Sequence, residues 1–172
     1  VYHGPEGVTR IAQRTQLFTT VLAQGLQQLG YSVGDGPWFD TLKASGGPRS
    51  QADIQTAALA AEINLRYFDD GTVGVSLDEK ASVVELNQLF EIFGAEPGAI
   101  NVEQLTEGVE LGYSGPLQRT TDFLTHPVFR SYHSETEMLR YMTRLQSRDL
   151  SLAFSMIPLG SCTMKLTATT ET

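Results

Sequence analysis

The chain has 172 residues, 41% of them hydrophobic, and a formal net charge of -8. That length and apolar content suffice for one well-packed core. The 12 basic residues are scattered among 20 acidic ones, which excludes a nucleic-acid backbone as the natural partner, because phosphate binding needs clustered Lys and Arg. One cysteine permits no internal disulfide, and no apolar run approaches the roughly 20 residues of a membrane-spanning helix. A cytoplasmic location is expected for a bacterial source, and a mitochondrial matrix location for a eukaryotic one.

Val1 stands where a Met would open a complete chain, and the tail 167–172 stops without any terminator. The expectation is a piece of a longer polypeptide. Pro5 suits a first helical turn and Glu6 complements its dipole. Apolar residues then recur at Val8, Ile11, Phe18, Val21, Leu22, Leu26 and Leu29 before Gly30, so a long amphipathic helix is predicted. Short strands are expected at 31–33 and 38–42, flanking a turn at 34–37, with a loop at 45–48. Ser50 caps a helix expected to run to Glu62 among many alanines.

Alternation at Leu65, Tyr67, Val73, Val75 and Leu77 around the turn 69–72 predicts a β-hairpin over 63–77. Asp78 or Ser82 then caps a helix with the face Val83, Leu86, Leu89, Phe90 and Phe93, ending at Gly94. The result is a small α+β unit of residues 1–95. Pro97, Gly98, Gly108, Gly112, Gly115 and Pro116 break the pattern across 96–124, which reads as a connector with one short helix near 102–106. From 125 onward a capping box, Ser134 with Glu137, opens a helix over 135–148 whose face is Met138, Tyr141, Met142 and Leu145. That face is read as core, and Arg140, Arg144 and Arg148 opposite it as a solvated stripe or a surface for an acidic partner.

The densest polar cluster lies near the end. After the apolar segment 151–157, Pro158 and Gly160 turn the chain into Ser161, Cys162, Thr163 and Lys165. A glycine, hydroxyls and a lysine can cradle an anion, but Walker spacing is absent, which argues against nucleoside triphosphate hydrolysis. Cys162 reads either as a nucleophile served by His126 or His133 or as a small buried side chain. Lys165 reads either as a Schiff-base former or as an exposed loop lysine. His126, held extended by Pro127, suits a loop entering a pocket; His133 reads as that or as a solvated residue ahead of a helix cap. The three histidines lack metal-ligand spacing, so no metal is expected.

Several blocks resemble one family: Val1-Tyr2-His3-Gly4-Pro5, Phe39-Asp40-Thr41-Leu42, Ile63-Asn64-Leu65-Arg66-Tyr67, Val75-Ser76-Leu77-Asp78-Glu79, and above all the stretch from Thr125 to Lys165. Together they resemble the pyridoxal-phosphate-dependent P-protein of the glycine cleavage system. The resemblance implies two fold-type I halves, of which residues 1–95 resemble the small domain closing the first and 125–172 the helical start of the second. It implies pyridoxal 5'-phosphate as cofactor, decarboxylation of glycine, and transfer of the aminomethyl group to the lipoyl arm of H-protein. It also implies association with the other glycine cleavage components, as a homodimer or a two-half heterotetramer.

The same resemblance puts the Schiff-base lysine beyond Thr172 and gives that role to no residue of this chain. Ser161, Cys162, Thr163, Lys165, His126 and His133 then become candidates for lining the substrate or cofactor pocket. Phe154 stands where the family usually has His, and Thr167 where it has Asn. An alternative from another class is a non-catalytic module that docks a lipoyl carrier or a partner enzyme half through the arginine stripe.

Overall fold

The computed structural model describes residues 1–148. The chain divides into two units, Glu6–Thr121 and Val1–Pro5 with Asp122–Thr172. The first carries an α+β core. Helix α1, Gly4–Gln28, buries Phe18, Val21, Leu22, Ala23 and Leu26. Val8, predicted on the same face, is exposed, and the first large apolar side chain that the helix buries is Phe18. Thr15 and Thr19 are buried along with this stripe. Each hydroxyl donates to the carbonyl four residues earlier, at 3.1 Å and 3.0 Å, which satisfies a buried polar group within its own helix.

Strands β1 (Tyr31–Ser32), β2 (Thr41–Gly46), β3 (Arg66–Tyr67) and β4 (Val73–Ser76) form one antiparallel sheet in the order β1-β2-β4-β3. The second strand therefore runs through 41–46. Residues 38–40, expected to begin it, lie outside it, whereas Ser45 and Gly46, expected to open the 45–48 loop, belong to it and pair with Ser32 and Tyr31. The alternation of Leu42 and Ala44, both buried, explains the change: their period-2 spacing fixes the inward face, and Trp38 instead donates its indole N–H to the Val33 carbonyl at 3.3 Å.

Register is set by Leu42 opposite Val75 and Thr41 opposite Ser76. The first pair is buried, and each such side chain contributes about 1.5–3 kcal/mol. On the outer face Gly74 lies between Lys43 and Arg66 in the ladder. The Phe68 ring lies over this bare glycine, 3.1 Å from where its Cβ would be, with Lys43 Nζ 4.4 Å and Arg66 Cζ 5.5 Å from the ring centroid. An aromatic from the turn thus covers backbone that a glycine leaves open.

Helix α2, Gln51–Ala60, is capped by Ser50, which accepts from the Asp53 N–H. It ends two residues before the predicted stop, because Glu62 takes a left-handed φ of 57°. Helix α3, Val83–Ile92, begins with a capping box in which Ser82, not Asp78, is the cap and Glu85 reaches back to it. Its face of Leu86, Leu89, Phe90 and Phe93 is buried, while Val83 is exposed. The short helix expected within the connector is α4, Val102–Thr106, whose Val102 joins the core.

Three side chains tie distant segments together. Gln16 donates to the Gly112 carbonyl at 3.1 Å and accepts from the Gly112 N–H at 2.7 Å, copying a strand pairing with an amide. Gln51 donates to Phe68 and Thr72 carbonyls at 2.8 Å and 2.9 Å, bracing the hairpin turn. Arg49 donates to the Glu91 and Ile92 carbonyls, both at 3.0 Å, placing a positive charge at the C-terminal end of α3.

Candidate functional site

Ser161, Cys162, Thr163 and Lys165 lie outside the described residues, as do Phe154 and Thr167. The two remaining candidates, His126 and His133, belong to the unit of Val1–Pro5 with Asp122–Thr172. His126 has φ -63° and ψ 139°, the extended geometry that Pro127 imposes. It caps a 3-10 turn, Pro127–Arg130, and its Nδ1 accepts from the Val128 N–H at 3.1 Å. An accepting Nδ1 leaves the proton on Nε2, so the ring presents a neutral N–H donor on its exposed side.

His133 precedes the cap of α5, Glu135–Gln146. Its Nδ1 lies 2.7 Å from the Tyr2 carbonyl; a carbonyl only accepts, so Nδ1 carries the proton here. The two histidines therefore use Nδ1 in opposite ways, His126 as an acceptor and His133 as a donor. The backbone of Gly4 runs directly beneath this ring: a Cβ there would stand 2.9 Å from both His133 Cε1 and the Phe129 carbonyl oxygen. With φ +62° as well, position 4 needs glycine for both reasons.

The predicted capping box is present: Ser134 accepts from the Glu137 N–H at 3.3 Å and Glu137 bonds back to Ser134. Those bonds hold the Glu137 carboxyl below the usual range, first through the Ser134 hydroxyl and then through backbone N–H groups, with a lesser contribution from the charge of His133. Two expectations for α5 change. Its apolar face is not a core among the described residues, for no α5 residue is fully buried and Leu145 is 47% exposed. The arginine stripe is not uniformly solvated either. Tyr132 and Tyr141 stack with centroids 4.3 Å apart, and Arg144 lies over both rings, 5.5 Å and 5.2 Å away, while bonding the Tyr132 hydroxyl. Cation–π attraction and the hydroxyl bond thus engage the middle arginine within its own unit.

Among the described residues no group of three His, Cys, Asp or Glu is placed to hold a metal, and no helix is long and apolar enough to cross a membrane. Two of the chain's three lysines are described. Lys43 is ion-paired with Asp70 at 2.9 Å on an exposed sheet face. The bonds from Thr72, then from Lys43, hold that carboxyl at about 2. Lys80 stands at a groove of about 410 Å³ together with Leu65, Val75, Leu77 and Leu89. Sequence patterning gave these apolar positions to the core and did not separate the groove; the one available signal was a lysine directly after a predicted hairpin.

A small antiparallel sheet packed with helices defines the class as α+β. The family model described as glycine cleavage system P-protein matches residues 1–93. The chain is 48% identical to glycine dehydrogenase (decarboxylating) of Nostoc punctiforme over 177 residues, covering 99% of this chain and 18% of that protein. It is 46% identical to glycine dehydrogenase (decarboxylating) of Vibrio parahaemolyticus, again over 99% of this chain and 18% of the relative. With glycine dehydrogenase (decarboxylating) 2 of Pseudomonas fluorescens the identity is 49%, with the same coverage. The chain belongs to the glycine cleavage system P-protein family. It spans less than one fifth of the length of these relatives.

Proposed function

We propose that this chain acts as a central section of a glycine dehydrogenase (decarboxylating), within a protein that releases carbon dioxide from glycine and passes the aminomethyl group to the lipoyl arm of H-protein. The observation that carries the reading is identity of 46% to 49% sustained over 99% of the chain. In this reading residues 1–95 close the first fold-type I half, 96–124 connect, and 125–172 begin the second. The whole protein works with the other glycine cleavage components as a homodimer or a two-half heterotetramer.

Pyridoxal 5'-phosphate supplies the electron sink for decarboxylation in the whole protein. The described residues do not fit it: Lys43 is paired on an exposed face and Lys80 is exposed at a groove rim, and neither is enclosed as a Schiff-base lysine must be. What this chain offers instead is a set of polar positions for the pocket wall. His126, whose Nδ1 is engaged by the Val128 N–H, offers its Nε2 side as a hydrogen-bond donor to an anionic or carbonyl oxygen. His133 holds the segment around Tyr2, and Ser161, Cys162, Thr163 and Lys165 complete the wall.

The test is glycine-dependent exchange of carbon dioxide by the product of the whole reading frame, supplied with pyridoxal phosphate and lipoylated H-protein. Exchange is expected. A full-length product that binds the cofactor yet exchanges nothing overturns the reading.

A further inference from the structure

We draw no further inference here: the strongest candidate, the groove of about 410 Å³ between the β3–β4 hairpin and α3, is walled by Leu65, Val75, Leu77 and Leu89 with Asp78, Lys80 and Glu85 as its charged members, and nothing in the structure shows what covers it.

Discussion

The ring of Phe90 fills the space that any side chain at residue 25 would need: a Cβ on Gly25 would lie 2.2 Å from Phe90 Cε1 and 2.4 Å from Cζ. Helices α1 and α3 approach this closely only because that atom is missing. Alanine is preferred over glycine inside a helix by about 1 kcal/mol, but overpacking a core costs about 1–3 kcal/mol. Phe90 is 2% exposed and has no solvent to swing into, so the clash prevails. Gly25→Ala is predicted to lower the urea midpoint, and Phe90→Leu in the same chain to recover part of the loss through non-additivity. A midpoint raised by Gly25→Ala alone would refute the packing account.

Gln16 and Gly112 exchange two hydrogen bonds across 96 positions of sequence. Gln16→Ala leaves the Gly112 N–H and carbonyl without those partners, at a cost of about 0.5–1.5 kcal/mol for each bond, because Gly112 is exposed and water can replace the amide. The loss should be local: amide exchange around Gly112 accelerates before that of β2 or α3. Gln16→Glu is the sharper variant, because it keeps the acceptor and sets an oxygen against the Gly112 carbonyl. Unchanged exchange at Gly112 in both variants would show that the clamp does not hold this segment.

Tyr31 joins the sheet to the end of α3, donating to the Phe93 carbonyl at 2.8 Å and accepting from the Arg49 N–H at 3.3 Å. Burial raises its ionisation above the usual tyrosine value, against the lowering effects of Arg49. A folded pKa above the unfolded one means that the contribution is complete below the ordinary tyrosine pKa and is lost as pH rises through the raised value. Wild type should therefore lose more stability above about pH 10 than Tyr31→Phe does. Tyr67 and Tyr113 are also raised, but they titrate in both proteins, so the difference isolates Tyr31. Parallel alkaline unfolding curves would contradict it.

Acid acts through the two helix caps. Hydrogen bonds from Ser82 and Ser134 lower the Glu85 and Glu137 carboxyls, and the bonds from Thr72 and Lys43 bring Asp70 to about 2. A folded pKa below the unfolded one gives stability that is present above the ordinary carboxylate range and is lost as pH falls through the lowered values. Carboxyl-resolved NMR titration should place the midpoints of Glu85 and Glu137 below those of free glutamate, and Ser134→Ala should return Glu137 toward the free value. A Glu137 midpoint indifferent to Ser134 would remove the capping box as its cause.

Local signals in the sequence translated well into structure. Ser134 with Glu137, Ser50, the hairpin turn at 69–72 and the apolar spacing of α3 from Leu86 onward each depend on a few neighbouring residues, and each is found where its pattern puts it. The choice between Asp78 and Ser82 needed the reciprocal partner Glu85, which lies three residues after Ser82 only. What sequence patterning misses is long-range: Gly25 under Phe90, Gln16 on Gly112 and Arg49 on Glu91 join positions 42 or more apart. Nothing in either partner's own neighbourhood encodes the other.

The pocket candidates divide in the same way. His126 reads as extended from Pro127 alone, but its tautomer depends on the Val128 N–H, and the partner of His133 is the distant Tyr2 carbonyl. The cluster 161–165 lies outside the described residues, so its place in the pocket rests on family resemblance.

The central claim is that this chain belongs to the P-protein family while supplying pocket wall rather than the lysine that anchors the cofactor. The most direct measurement is to mix the purified 172-residue chain with pyridoxal phosphate, record the visible spectrum, reduce with borohydride, and map any labelled lysine. No stable lysine-bound band and no specifically labelled peptide are predicted. A band that Lys165→Ala abolishes would contradict the account and make Lys165 the anchor.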